Sequence, residues 1–189
     1  MKRLSFLIGC LITLIQVTNA QSGQDEMMKA WQAYMTPGDM HALLAKDDGE
    51  WKTEMSLWMD PGSPPVKSSG KMNNKMILGG RYQEARYSGD FMGMPMEGIG
   101  ITGYDNAKKI FISTWIDNLG SGVMKLEGQY DPASKAINFY GSSVDPMTGK
   151  DMKVREVLKF IDDKNQLMEM FMVQDGIEIK TMEIKFTKL

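Results

Sequence analysis

The stretch GEWKTEMSLWM, residues 49–59, decides the fold. Trp51, Thr53, Met55, Leu57 and Met59 alternate with Lys52, Glu54 and Ser56, so apolar side chains recur with a period of two. That is the pattern of a strand with one face in a core and the other in water. On its N-terminal side the period is helical. From Asp25 to Met35 the apolar residues Met27, Met28, Trp31, Tyr34 and Met35 recur at helical spacing, and Thr36-Pro37-Gly38 stops the run. A second short helix is expected with Asp39 as its N-cap and Met40, Leu43 and Leu44 on one side, ending before Asp48-Gly49.

On the C-terminal side, turn signals interrupt the chain about every ten residues. They are Pro61-Gly62, Gly79-Gly80, Ser88-Gly89-Asp90, Asp105-Asn106, Asn118-Leu119-Gly120, Asp131-Pro132, Asp145-Pro146, Asp162-Asp163 and Asp175-Gly176. These breaks imply roughly ten strands, and short connections force neighbouring strands to be antiparallel. Such a mainly β chain with a single N-terminal helical segment fits one up-and-down β-barrel better than a helix-covered sheet. No internal repeat argues for a propeller, and no low-complexity linker divides the chain. The expected organisation is a helical segment over residues 24–47 and a barrel over 48–189.

Residues 1–20 belong to another regime. Lys2 and Arg3 precede an apolar run from Leu4 to Val17, followed by Thr18-Asn19-Ala20, which reads as a secretory signal peptide cut after Ala20. The run is about 14 residues long, short of the roughly 20 that cross a bilayer, so no membrane span is expected after cleavage. A rival cut exists at Leu7-Ile8-Gly9-Cys10, similar to a bacterial lipobox with an acylated Cys, although few apolar residues precede it. The expectation is an exported protein, periplasmic or extracellular, with no Cys and no disulfide. The full chain has 22 basic and 24 acidic residues, and losing Lys2 and Arg3 takes its net charge from −2 to −4. A strongly basic nucleic-acid binder is excluded, so nucleic acid is not an expected partner. With 42% hydrophobic and 24% charged residues, a disordered chain is excluded as well.

Few residues carry obvious chemistry. His41 is the single His and Cys10 the single Cys, which leaves neither a Ser-His-Asp or Cys-His group nor a zinc-ligand set. Gly98-x-Gly100-x-x-Gly103 has dinucleotide-loop spacing but sits in a strand-and-turn run with no following helix, so those glycines are expected to relieve crowding where strands bend. Methionine is the compositional oddity, with 19 in the chain. Met92, Met94 and Met96, like Met168, Met170 and Met172, place three thioethers on one face of an extended segment. Thioethers suit Cu(I), but no His or Cys lies near either cluster, and flexible pocket or core filling is the expected role.

Charges at apolar phases point more sharply. Glu156 shares a face with Met152, Val154, Leu158 and Phe160 and is expected to point inward, where a carboxyl must be paired, hydrogen-bonded or protonated. Arg81, Arg86 and Lys180 are its candidate cationic partners. In the last strand Ile177 and Ile179 define one phase and Met182, Ile184 and Phe186 the other. Either a bulge lies near Lys180-Thr181, or Glu178 and Lys180 face the interior. Arg81, Arg86, Glu97 and Asp117 share strands with Tyr82, Tyr87 and Trp115. Such groups could orient the polar end of an amphipathic ligand or form a salt-bridge network closing the barrel.

Taken in order, GEW at 49–51, ILGGRY at 77–82, GMPMEGIGITGYD at 93–105, STWIDNLG at 113–120 and DPMTGK at 145–150 resemble domain of unknown function 1579, a bacterial secreted family, as does PGDMHALL at 37–44. The resemblance implies a calycin-like barrel similar to lipocalins and nitrobindin, with Gly49-x-Trp51 similar to the lipocalin pattern at the first strand, and implies almost nothing about activity. The nitrobindin likeness would imply haem on an axial His. The expected strands carry none, so His41 is expected to pack or cap and no cofactor or metal is expected. The expected function is binding of a small apolar or amphipathic molecule in the lumen, without catalysis. Its candidate contacts are Trp51, Arg81, Tyr82, Arg86, Met94, Met96, Trp115, Asp117, Glu156, Met170 and Lys180. The rivals are an enzyme using Glu156 as acid or base and a filled barrel with a structural or interaction role.

Overall fold

The alternation at residues 49–59 is the first strand of a closed barrel. A computed structural model describes residues 23–189 apart from Asp175, so the expected signal segment and Cys10 lie outside the described residues. Helix α1, residues 23–35, belongs to a unit ending at Thr36, and Pro37–Leu189 forms a second compact unit. On α1 the side chains of Met27, Met28, Trp31, Tyr34 and Met35 are exposed. Among the described residues no helix is long and apolar enough to cross a membrane.

The second unit opens with α2 (Asp39–Ala45) and continues as ten strands. These are β1 (Gly49–Leu57), β2 (Val66–Ile77), β3 (Tyr82–Phe91), β4 (Met94–Asp105), β5 (Ile110–Asp117), β6 (Met124–Asp131), β7 (Ala136–Val144), β8 (Asp151–Asp162), β9 (Asn165–Gln174) and β10 (Ile177–Lys188). Each strand pairs antiparallel with its sequence neighbours, and β1 also pairs with β10, Trp51 opposite Lys188. Closure leaves no free sheet edge.

Two local departures from simple alternation shape the interior. Ser88-Gly89-Asp90 is not a turn but lies inside β3, and the hairpin bends at Met92-Gly93, with φ of 54° and 84°. Gly89 pairs opposite Met96 within the strand, where a Cβ would collide with the Tyr87 hydroxyl, and Asp90 anchors the bend by accepting the Gly93 N–H at 2.9 Å. Met92 therefore leaves the expected thioether row and is exposed. In β10 the pairing with β9 shifts between Lys180 and Met182, which makes Thr181 the extra residue of a bulge. Both apolar phases then face inward, and Glu178 and Lys180 face out.

One end of the barrel is shut by α2 and the corner that follows it. Leu44 is buried with Phe111, Leu126, Ile137, Phe139 and Val154, while Trp51, Met55, Ile184 and Phe186 form a second cluster. The corner is fixed by named donors. Gln83 Nε2 donates to the Leu44 carbonyl at 2.7 Å, and Trp51 Nε1 donates to the Asp47 carbonyl at 2.8 Å. Gln166 Nε2 reaches the Asp47 carboxylate at 2.6 Å, and Lys188 Nζ, stacked over Trp51, reaches the Lys46 carbonyl at 2.9 Å. These groups use the polar ends of the helix that would otherwise be left unpaired on burial.

Candidate functional site

Strand register assigns the inner face. Across the ladders, Phe111, Gly128, Phe139, Glu156, Met170, Met182 and Leu57 stand opposite one another in turn and share the inside of the wall. Near α2 the inward side chains Trp51, Phe111, Ile137 and Phe186 are buried. Toward the other end, inward side chains keep accessible surface even though the wall surrounds them. Met152, Met168, Met170, Met172 and Met182 come from β8–β10, and Met72, Met96 and Met124 from β2, β4 and β6. The difference is one of degree, since Met55, Tyr87, Leu126 and Val154 in this half are buried and Tyr104, Tyr130, Leu158 and Phe160 near α2 are only partly so; the half away from α2 is the less completely packed, and is the open half in that sense.

Glu156 stands midway along β8 in this half, between Phe139 and Met170, as its phase predicts. It makes no hydrogen bond or ion pair with any described group. Burial alone pushes its carboxyl up to about 7 from an ordinary 4.5, because no donor offsets the cost of charge in a low-dielectric wall. Beside the opening, Trp115 Nε1 donates to Asp117 Oδ2 at 2.8 Å and the Leu119 N–H donates to Asp117 Oδ1 at 2.9 Å. The indole lies across β4, and a Cβ on Gly98 would come within 2.2 Å of it. Gly98 and Gly100 thus make room for Trp115, a specific reason that a general expectation of bent strands misses.

Seven of the eleven candidate contacts face inward. Met94 is at the rim, Met96, Trp115, Asp117, Glu156 and Met170 line the open half, and Trp51, 1% exposed, is part of the closed end. The other four lie outside the lumen. Arg81 sits in the turn after β2, where Leu78, Gly79 and Gly80 all have positive φ, and its Nη1 donates to the Leu78 carbonyl at 3.1 Å. Tyr82 pairs opposite Gly103 on the outer face, and a Cβ on that glycine would stand 2.6 Å from its ring. Arg86 pairs with Glu84 at 2.7 Å on the outside. The bulge at Thr181 turns Lys180 outward to Glu169, 2.6 Å away, and to Glu183, with its ammonium 5.3 Å from the Trp58 ring centre. The expected cationic partner of Glu156 is therefore not among these three residues. Sequence reasoning missed Met72, Met124, Met152 and Met182 as lining residues, although their alternation within β2, β6, β8 and β10 carried the signal.

A second perturbed carboxyl was not expected. Asp47, buried at the closed end, is also raised to about 7, by burial, with the Gln166 bond opposing the rise. His41 is buried in α2, its Nδ1 accepting the Gly38 N–H at 3.1 Å and its ring edge-on to Tyr104. Burial, with a smaller contribution from the Arg81 charge, lowers its pKa. The imidazole packs and caps, stands off the barrel wall, and has one nitrogen committed, so the residues do not fit a His-held haem. Among the described residues no three His, Cys, Asp or Glu converge as metal ligands. Grooves of about 500 and 300 Å³ run along the outer wall, one beside Glu127 and Tyr140 and the other beside Lys71 and Arg86, and neither belongs to the lumen.

The profile of a family described as "Protein of unknown function (DUF1579)" matches residues 36–188. The chain belongs to that family. The DUF1579 match takes in α2, all ten strands and every lumen residue named above, while α1 lies before it. The solved structure described as "Crystal Structure of Rv2717c from M. tuberculosis" is similar to the chain with a TM-score of 0.60 and 12% identity, over 82% of this chain and 99% of that one. At that identity the likeness carries the fold alone. No curated protein matches the chain.

Proposed function

We propose that this DUF1579 barrel binds a small apolar or amphipathic molecule in the half of its lumen away from α2. The observation that carries the reading is that the inward methionines of β2, β4, β6 and β8–β10 are only partly buried although a closed wall surrounds them. Methionine supplies most of that accessible lining, and its unbranched, polarizable side chain adapts to ligands of varied shape. A few polar groups in a mostly apolar concavity are the usual make-up of a small-molecule site. Export directed by residues 1–20 would place the site in the periplasm or outside the cell.

Titration with N-phenyl-1-naphthylamine, a neutral apolar fluorophore, tests the reading. Saturable fluorescence enhancement near one probe per chain is expected, and Met170→Trp, which fills the accessible space, should weaken it at least tenfold. A probe that never saturates, or that binds Met170→Trp equally well, counts against a lumen site.

A carboxylate-dependent enzyme is the second reading, favoured by one observation. Glu156 combines a carboxyl raised to about 7 with accessibility from the lumen, as a general acid or base requires. Against it, no second free carboxyl stands beside Glu156 among the described inward strand residues, since both oxygens of Asp117 already accept hydrogen bonds.

A further inference from the structure

The charges on the inner face are few and of one sign where the lumen is open. Among the described strand residues, register places three carboxyl or ammonium side chains inward: Asp117, Glu156 and Lys188. Lys188 is at the closed end, where it is spent on the Lys46 carbonyl and the Trp51 ring. The open half therefore holds two carboxyls and no cation. The bulge at Thr181 contributes to that result, because unbroken alternation back from Met182 would have turned Lys180 into the lumen. It goes instead to Glu169 and Glu183 on the outer wall.

Resting on the lumen-binding reading above, we propose that the site selects amphipathic cations, an apolar chain ending in an amine or quaternary ammonium, over acids and alcohols of the same chain length. Glu156 has no partner among the described residues, so a ligand cation would supply the counter-charge that burial otherwise leaves missing. The partly exposed ring of Trp115, packed 6.4 Å from the centre of the buried Tyr87 ring on the same inner face, favours a cationic head for a second reason, the negative potential of an aromatic face. A carboxylate head would meet like charge and no lysine or arginine to offset it.

Displacement of bound N-phenyl-1-naphthylamine at pH 8 by decyltrimethylammonium, decanol and decanoate tests this. The cation should displace the probe at a concentration at least tenfold below that of decanoate, with decanol between them. Glu156→Gln should bring cation and alcohol within about threefold of each other. Asp117→Asn, a second route should the first variant fold poorly, should narrow the cation-to-acid gap by a smaller factor. Decanoate displacing as well as the cation, or an unchanged ranking in both variants, overturns the selectivity while leaving lumen binding intact. If calorimetry detects binding of none of the four compounds, the selectivity falls together with the reading beneath it.

Discussion

Asp47 and Glu156 are two carboxyls that burial raises to the same value, about 7, one in the corner at the closed end and the other midway along the wall. At the closed end Asp47 accepts a bond from Gln166 at 2.6 Å, in a corner also tied down by Trp51, Gln83 and Lys188. Glu156 stands between Phe139 and Met170 and meets no donor among the described residues. Desolvation opposes ionisation at both sites, but only at Asp47 does the fold supply a fixed partner. The fold spends its hydrogen-bonding groups on holding α2 in place. The carboxyl it leaves alone is the one a ligand can reach.

If the closed end is a rigid plug and the open half a lined cavity, equal truncations should have unequal costs. Trp51→Ala removes a buried indole, its bond to the Asp47 carbonyl and the surface on which Lys188 stacks, and should cost about 3–5 kcal/mol. Met170→Ala removes a half-buried side chain facing accessible space and should cost about 1 kcal/mol. Urea denaturation of both variants measures the difference. Equal losses would mean that the open half is packed as solidly as the plug.

Glu156→Gln sharpens the comparison through pH. The folded carboxyl ionises near 7 and the unfolded one near 4.5, so the native chain binds more protons in between and loses stability as pH rises through that window. Below about 4.5 this contribution is fully present, and above about 7 its loss is complete. Glutamine has no such penalty. The variant should match the parent near pH 4 and exceed it by about 3 kcal/mol at pH 8. A variant equally destabilised at both pH values would show that Glu156 is a structural strut with a partner.

The barrel was legible in the sequence because period two and closely spaced turn residues are local signals, and they recur through ten strands. The lumen was legible only in part. Glu156, Met96, Met170 and Asp117 kept the phase their neighbours implied, but Lys180 did not, because a one-residue bulge reverses a strand's faces without changing composition. Arg81 was misplaced for a related reason, since the positive φ values at residues 78–80 carry it into a turn. Ser88-Gly89-Asp90 has the composition of a turn, yet Gly89 is there to accommodate the Tyr87 hydroxyl, a tertiary demand that a local reading confuses with chain reversal. The absence of a cation beside Glu156 depends on where Arg86 and Lys180 go together, so no single strand could reveal it.

A smaller effect than that of Trp51 or Glu156 is expected in the wall of the open half, at Gly98. A Cβ there would lie 2.2 Å and 2.6 Å from two ring atoms of Trp115, too close for any real contact, whereas a Cβ at Gly100 would lie 3.3 Å from the same indole. Gly98→Ala should therefore push the ring into the lumen and break the Trp115–Asp117 hydrogen bond, at a cost of about 1–2 kcal/mol, while Gly100→Ala should stay closer to the parent. Near-ultraviolet circular dichroism reports the ring, and probe titration reports the space it would occupy. Weakened probe binding with a changed Trp signal in Gly98→Ala, and little of either in Gly100→Ala, would place Trp115 on the wall of the binding space. If Gly98→Ala alters the Trp signal but binds the probe unchanged, the ligand sits deeper, nearer Glu156, and the comparison between the two ends must be drawn from that depth instead.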